Sequence, residues 1–238
     1  MATQENDPEL QHKSEQQFFE LKRKVTQTVQ KLGLEGQQAQ VALALDISAS
    51  MSGFFQQGIV QKVVERILAL SVKFDDNGAV DVFLFGARDY TVGELQEADF
   101  FGYIDREIRP NYPFEGATRY AGVIQRISDH YAQQHQEGKP DPAYVLFVTD
   151  GDNSDHKATE TIITQVSSKP IFWQFVGIGN SNFQFLERLD TMSGRYIDNA
   201  NFFQVNDIAN IDDTELYERL LGEFPSWLEL AREHNILA

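Results

Sequence analysis

The spacing of apolar residues changes several times along the chain, and each change marks an element. Between Glu9 and Leu32, Phe18, Leu21, Val25, Val29 and Leu32 recur three and four apart, which predicts a helix with one apolar face. Gly33 and Gly36 end it. From Val41 to Ile47 the chain becomes a short apolar run of strand length, with Asp46 at its carboxyl end. After Gly53 and Gly58, helical spacing returns through Val60, Val63, Val64, Ile67, Leu68 and Ser71.

The turn Asp75-Asp76-Asn77-Gly78 leads into a second strand, Ala79 to Phe85, and Tyr90 to Leu95 reads as a weaker edge or hairpin partner. Gln96 to Glu115 is rich in aromatics and interrupted by Pro110 and Pro113, so it predicts a packed irregular crossing rather than a long helix. A helix is expected over Thr118 to Gln133, then a buried strand over Ala143 to Thr149, followed at once by Asp150-Gly151-Asp152-Asn153. The remainder alternates: helix near Ala158 to Ser167, strand Ile171 to Ile178, helix near Phe183 to Thr191, strand near Asn201 to Val205, and helices after Thr214.

Strands alternating with helices imply right-handed crossovers and a doubly wound α/β fold. The expected sheet is mainly parallel and six-stranded, with one short antiparallel edge strand and helices on both faces. Residues 1–37 are expected to be a helical extension packed on a domain spanning 38–238. In such sheets the ligand site lies beyond the carboxyl ends of the strands, where strand order reverses. The loops after Leu45 and Thr149 both lie at that edge.

Bulk composition narrows the function classes. A formal net charge of -16 repels phosphate backbones, which argues against nucleic acid as a partner. With no cysteine there are no disulfides, thiolate metal sites or cysteine nucleophiles. The polar, acidic start Met1 to Asp7 does not read as a signal peptide, and no stretch approaches a membrane span, so a cytoplasmic protein without direct membrane insertion is expected.

Asp46-Ile47-Ser48-Ala49-Ser50 places three oxygen-bearing side chains two residues apart where the chain leaves a strand. Hard cations such as Mg²⁺ take oxygen ligands, so this is a coordination loop in form. Taken alone, the same residues could merely cap a helix or make a turn. Read together with Gly116-Ala117-Thr118-Arg119-Tyr120 and Val148-Thr149-Asp150-Gly151-Asp152, the loop resembles the metal-ion-dependent adhesion site (MIDAS) of von Willebrand factor type A (vWA) domains, over about Gln38 to Val205. That site joins an Asp-x-Ser-x-Ser loop, a distant Thr, and an Asp after a core strand. Ala49 stands where many relatives carry Gly.

The resemblance implies that Ser48, Ser50 and Thr118 supply hydroxyl ligands, with Asp46 and Asp150 coordinating directly or through water. The expected cofactor is Mg²⁺, with Mn²⁺ or Ca²⁺ as possible substitutes. Within the superfamily the chain is most similar to bacterial tellurium-resistance (toxic-cation resistance) type A domains. The residues carrying this likeness are the leading helix, Leu34-Glu35-Gly36 through Asp46, Phe172 to Gly179, and Asn201-Phe202-Phe203. A role in resistance or stress response would follow.

Three neutral hydroxyls and two carboxylates leave a divalent ion electron-poor, so a carboxylate from a protein partner would complete its coordination. Phe54 and Phe55 could flank the metal or simply pack inward. Asp152 and Asp155 could add rim charge or be ordinary solvated residues.

The main rival is a metal-dependent phosphoryl-transfer or hydrolytic enzyme, which needs a base or nucleophile beside the ion. His12, His130, His135, His156 and His234 form no triad or ligand spacing, so no catalytic residue is assigned. A dinucleotide fingerprint at Gly177-Ile178-Gly179 fails because Asn182 occupies the third glycine position. A calcium loop from Asp150 fails because Asp155 and Thr161 stand where glycine and glutamate are required.

Overall fold

The computed structural model describes residues 8–75, 77–136 and 141–238. Met1 to Asp7, the turn residue Asp76 and the side chain of His135 lie outside that description.

Six strands form one sheet: β1 (Gln40–Asp46), β2 (Val80–Phe85), β3 (Asp89–Leu95), β4 (Ala143–Thr149), β5 (Ile171–Ile178) and β6 (Ala200–Val205). Their order is β3-β2-β1-β4-β5-β6, all parallel except β3, which runs antiparallel to β2. β4 and β5 are buried along their whole lengths, as the unbroken apolar runs require of strands covered on both faces. The register of β3 slips opposite Val82 and Phe83, next to Gly93 at φ 127°, which bends the edge strand.

The side-chain period of two sorts each strand between two cores. Val41, Leu43 and Leu45 enter one core with α1 (Pro8–Lys31), α3 (Ile59–Phe74), α7 (Asp213–Leu221) and α8 (Phe224–Glu233). Ala42 and Ala44 enter the other with α4 (Ala121–Gln136), α5 (His156–Val166) and α6 (Gln184–Thr191). A single turn of helix, α2 (Ser52–Gln56), follows the β1 loop.

The expected crossing between Leu95 and Glu115 contains a short 3₁₀ turn, Glu97–Asp99, and a π-helical turn, Ile104–Ile108. Phe100, Tyr103, Ile104 and Ile108 are buried, and Gln61 of α3 ties the segment down by donating to the Phe100 carbonyl and accepting from the Ile104 N–H. Among the boundaries that differ from expectation, α4 begins at Ala121 rather than Thr118 and ends at Gln136 rather than Gln133. The Asp155 carboxylate accepts the N–H groups of Tyr120 and Ala121, both at 3.0 Å. Capping from a distant loop starts the helix there and leaves Thr118 in the loop before it.

α1 packs across α3 and α7. Phe18, Leu21, Val25 and Val29 are buried, and Phe18 stacks on Phe100. Lys24 pairs with Asp213 and Lys31 with Glu218. Each of these apolar side chains contributes about 1.5–3 kcal/mol by leaving water. A chain beginning at Glu35 should therefore melt many degrees below the full chain in calorimetry; equal melting temperatures would show that α1 adds nothing to the fold.

Candidate metal centre

Strand order reverses between β1 and β4, so the loops following these two strands open side by side. Asp46 ends β1 and is 1 % exposed. One of its carboxylate oxygens accepts the Ser48 N–H at 2.7 Å and the other accepts the Thr149 hydroxyl at 2.6 Å. From Ser48 the contacts run across the loops. Its Oγ lies 3.0 Å from Ser50 Oγ, and Ser50 Oγ donates to Asp150 Oδ1 at 2.9 Å. Four of the five expected ligands thus meet in one linked group.

Thr118 is held on the same rim through its backbone. Its carbonyl accepts the Ser154 N–H at 2.9 Å and the Ser154 hydroxyl at 3.1 Å. Among the described residues its own hydroxyl is bonded to none of the other four.

Burial pushes the Asp46 carboxyl up to about 6; the hydrogen bonds from Thr149 and Ser48 restrain the rise, and nearby Asp150 adds to it. Burial also raises Asp150, partly offset by the Ser50 hydroxyl. Neither carboxylate forms an ion pair with Lys, Arg or His among the described residues. Two adjacent acids without a countercharge form a place where a cation lowers the energy. No group of three or more His, Asp or Glu is placed to share a metal among the described residues, so an ion here would depend on hydroxyls as much as on carboxylates.

The donor spacing fits that role. Adjacent ligands of an octahedral ion, each about 2.05 Å from the metal, are about 2.9 Å apart. The two oxygen–oxygen contacts through Ser50, 3.0 and 2.9 Å, already have that length.

Three supporting residues have no role in the motif reading. Thr149 and Tyr120 brace Asp46 from behind: the Tyr120 hydroxyl donates to the Gly151 carbonyl at 2.6 Å and lies 3.2 Å from Thr149 Oγ1. Glu115 joins the third loop to the first, since its N–H donates to the Ile47 carbonyl and its carbonyl accepts the Ala49 N–H. Its buried carboxylate accepts from the Arg88 N–H and guanidinium and from the Tyr90 hydroxyl. Burial alone would raise this acid, but those donors hold it below the usual range. A carboxylate isolated in sequence carries no mark of such burial.

The aromatics divide. Phe55 is buried, while Phe54 is half-buried with its ring over Gly179; the exposed ring is Phe114, edge-on to Phe55. Asp155 is the brace on α4, and exposed Asp152 lies 2.7 Å from His156 Nε2, whose ring stacks on Phe185. His130 sits away from the centre, beside Asp81 of β2.

Comparison with known proteins adds three findings. Residues 38–237 match the family model vWA-TerF-like, described as the vWA found in the TerF C terminus. The chain is 43 % identical over 218 residues to the uncharacterized protein YcbR of Bacillus subtilis (strain 168), covering 91 % of this chain and 88 % of that one. Its fold is similar to manganese-loaded Plasmodium vivax TRAP protein (TM-score 0.53, 16 % identity, 75 % of this chain and 73 % of that). It is likewise similar to proximal thread matrix protein 1 of the mussel byssus with a zinc-occupied MIDAS motif (TM-score 0.52, 17 % identity, 78 % of this chain), though it spans only 45 % of the mussel chain.

Two outcomes follow from the geometry. A Cβ on Gly86 would lie 2.7 Å from Glu115 Oε2 and 2.8 Å from Glu115 Cβ, so Gly86→Ala should lower the denaturation midpoint by about 1–3 kcal/mol; an unchanged midpoint would show that Glu115 moves freely.

The second concerns Asp46, whose folded value of about 6 exceeds its ordinary 3.8. An acid raised in this way contributes stability below the unfolded value and loses it as pH rises through the folded one. Asp46→Asn should therefore leave metal-free protein melting no lower than wild type at pH 7.5, with a gain of up to about 3 kcal/mol, and the difference should shrink toward pH 4. A variant melting far below wild type at pH 7.5 would show that the lost hydrogen bonds outweigh desolvation.

Proposed function

We propose, since this chain belongs to the family of vWA domains found in the TerF C terminus, that it is a non-enzymatic, metal-dependent protein-interaction module. The carrying observation is the run of oxygens from Ser48 through Ser50 to Asp150, spaced as adjacent ligands of one ion beside an unpaired Asp46. Domains of this family generally serve as interaction modules, and the manganese-loaded and zinc-occupied neighbours carry divalent ions. In our reading Ser48, Ser50, Thr118, Asp46 and Asp150 hold Mg²⁺, with Mn²⁺ or Ca²⁺ able to substitute.

The ion supplies an electrophilic position that an acidic side chain of a protein partner fills. The protein's own residues do the rest. Burial keeps Asp46 dry, Thr149 and Ser48 orient its two oxygens, and Ser50 sets the distance to Asp150. Phe114 offers an exposed apolar contact at the rim. Residues 38–238 form the domain in this reading, with residues 1–37 an extension packed against it. The TerF relationship further supports a place in a cytoplasmic bacterial tellurium-resistance or stress-response system.

Thermal melting with Mg²⁺ or Mn²⁺ against chelator tests the proposal. An ion bound only by the folded state raises the midpoint by RT ln(1 + [L]/Kd), about 2.7 kcal/mol at a hundredfold excess over Kd. Wild type should show the rise, and Thr118→Ala and Asp46→Asn should lose most of it. Because Asp46 must ionise to bind, the rise should be smaller at pH 5 than at pH 7.5. Identical melting with ion and chelator at pH 7.5 would remove the proposal.

A further inference from the structure

Two arginines stand on the β2–β3 side of the centre. Arg88 lies in the β2–β3 loop, and Arg119 immediately follows Thr118. The two loops are joined, since the Arg119 N–H donates to the Gly86 carbonyl at 2.9 Å and the Gly86 N–H donates to the Arg88 carbonyl at 2.8 Å. Glu115 ties both to the Ser48 loop, because Ser48 and Glu115 are bridge partners. Across the centre, toward α5, Asp152 and Lys157 are both exposed. Acidic Asp89, next to Arg88, is already answered by Arg126.

Arg88 is held ready for a ligand. Its Nε donates to Glu115 Oε1 at 2.9 Å and its Nη2 lies 2.9 Å from the same oxygen, while the side chain remains 71 % exposed. Its remaining N–H groups face no partner among the described residues. A surface arginine normally loses rotamer freedom when it binds. One pinned from behind by a buried carboxylate has already lost it, and its planar fork matches a second carboxylate. Arg119 is exposed and makes no side-chain bond among the described residues. In a chain of net charge -16, an arginine without a side-chain partner among the described residues and a second with an exposed guanidinium edge, both beside a candidate cation site, run against the prevailing field.

We propose that Arg88 and Arg119 form a second, acid-binding subsite beside the metal centre, so that the partner is a segment with two carboxylates a few residues apart. One engages the ion and the other the arginines. The inference rests on the metal-dependent reading above and goes beyond it by stating what the partner must carry. A lone acid would engage the ion and leave the arginines in water. A paired acid gains from both and is discriminated from the many single acids on protein surfaces.

A random peptide library displayed on phage, bound to the full chain in Mg²⁺ and eluted with chelator, tests this. Wild type should enrich peptides with two acids within about four residues, a spacing that spans roughly 10–14 Å of extended chain. Arg119→Gln and the double variant Arg88→Gln/Arg119→Gln should enrich single acids, and Arg119→Glu should replace the second acid by Lys or Arg. For one selected two-acid peptide, affinity should fall about threefold to fivefold in Arg119→Gln and further in the double variant, with the Mg²⁺ affinity and single-acid peptide affinity of Arg119→Gln unchanged. If the double variant does not fold, Arg119→Gln and Arg119→Glu decide. Identical selections from wild type and these variants would overturn the arginine subsite and leave the metal reading standing. No chelator-eluted peptide from any form would overturn both.

Discussion

Two acids, Asp46 and Asp150, are drawn into a nearly dry place with no basic side chain among the described residues to answer them, and the arrangement of the surrounding loops follows from that. Desolvation makes the ionised pair costly, as the upward shift of both carboxyls records. A fold selected only for stability would have placed an asparagine or an arginine there. Retaining the cost at the point where strand order reverses is what a cation-binding surface requires, because the energy recovered on binding is the energy withheld in its absence.

The loops that carry these acids are short, and each is fastened to another. Glu115 bridges the Ser48 loop to the β2–β3 hairpin, and Gly86 lets the glutamate approach the backbone within a distance no side chain would permit. Asp155 caps α4 from the β4 side, and Ser154 holds the Thr118 carbonyl. Two carboxylates outside the motif therefore fix the positions of those inside it. This is how loops at a sheet edge acquire the rigidity that coordination needs, since each is braced by charge-assisted bonds rather than by its own length.

The same bracing creates the asymmetry of the rim. Glu115 is spent on Arg88, which leaves a fixed guanidinium edge exposed beside exposed Arg119, while the α5 side shows Asp152 and Lys157 together. In the proposed reading, an ion and the two arginines would lie side by side on a strongly acidic molecule, and the surface would select partners by charge pattern as well as by the single acid.

Much of the fold was legible in the chain. Local periodicity specifies helix or strand within a few residues, so the six strands, the leading helix and the irregular crossing follow from spacing and breakers. The unbroken run Tyr144 to Val148 marks a doubly covered strand, and Asp46 and Asp150 fall at strand ends by simple counting. Other features depended on pairing between distant segments. That Ser50 reaches Asp150, that α4 starts at Ala121, that Phe55 turns inward while Phe114 stays out, and that Glu115 is buried at all are decided by strand order and by loops meeting across the sheet edge. A residue's identity carries its chemistry but not its neighbours. Those come from contacts separated by a hundred positions or more, which no local spacing encodes.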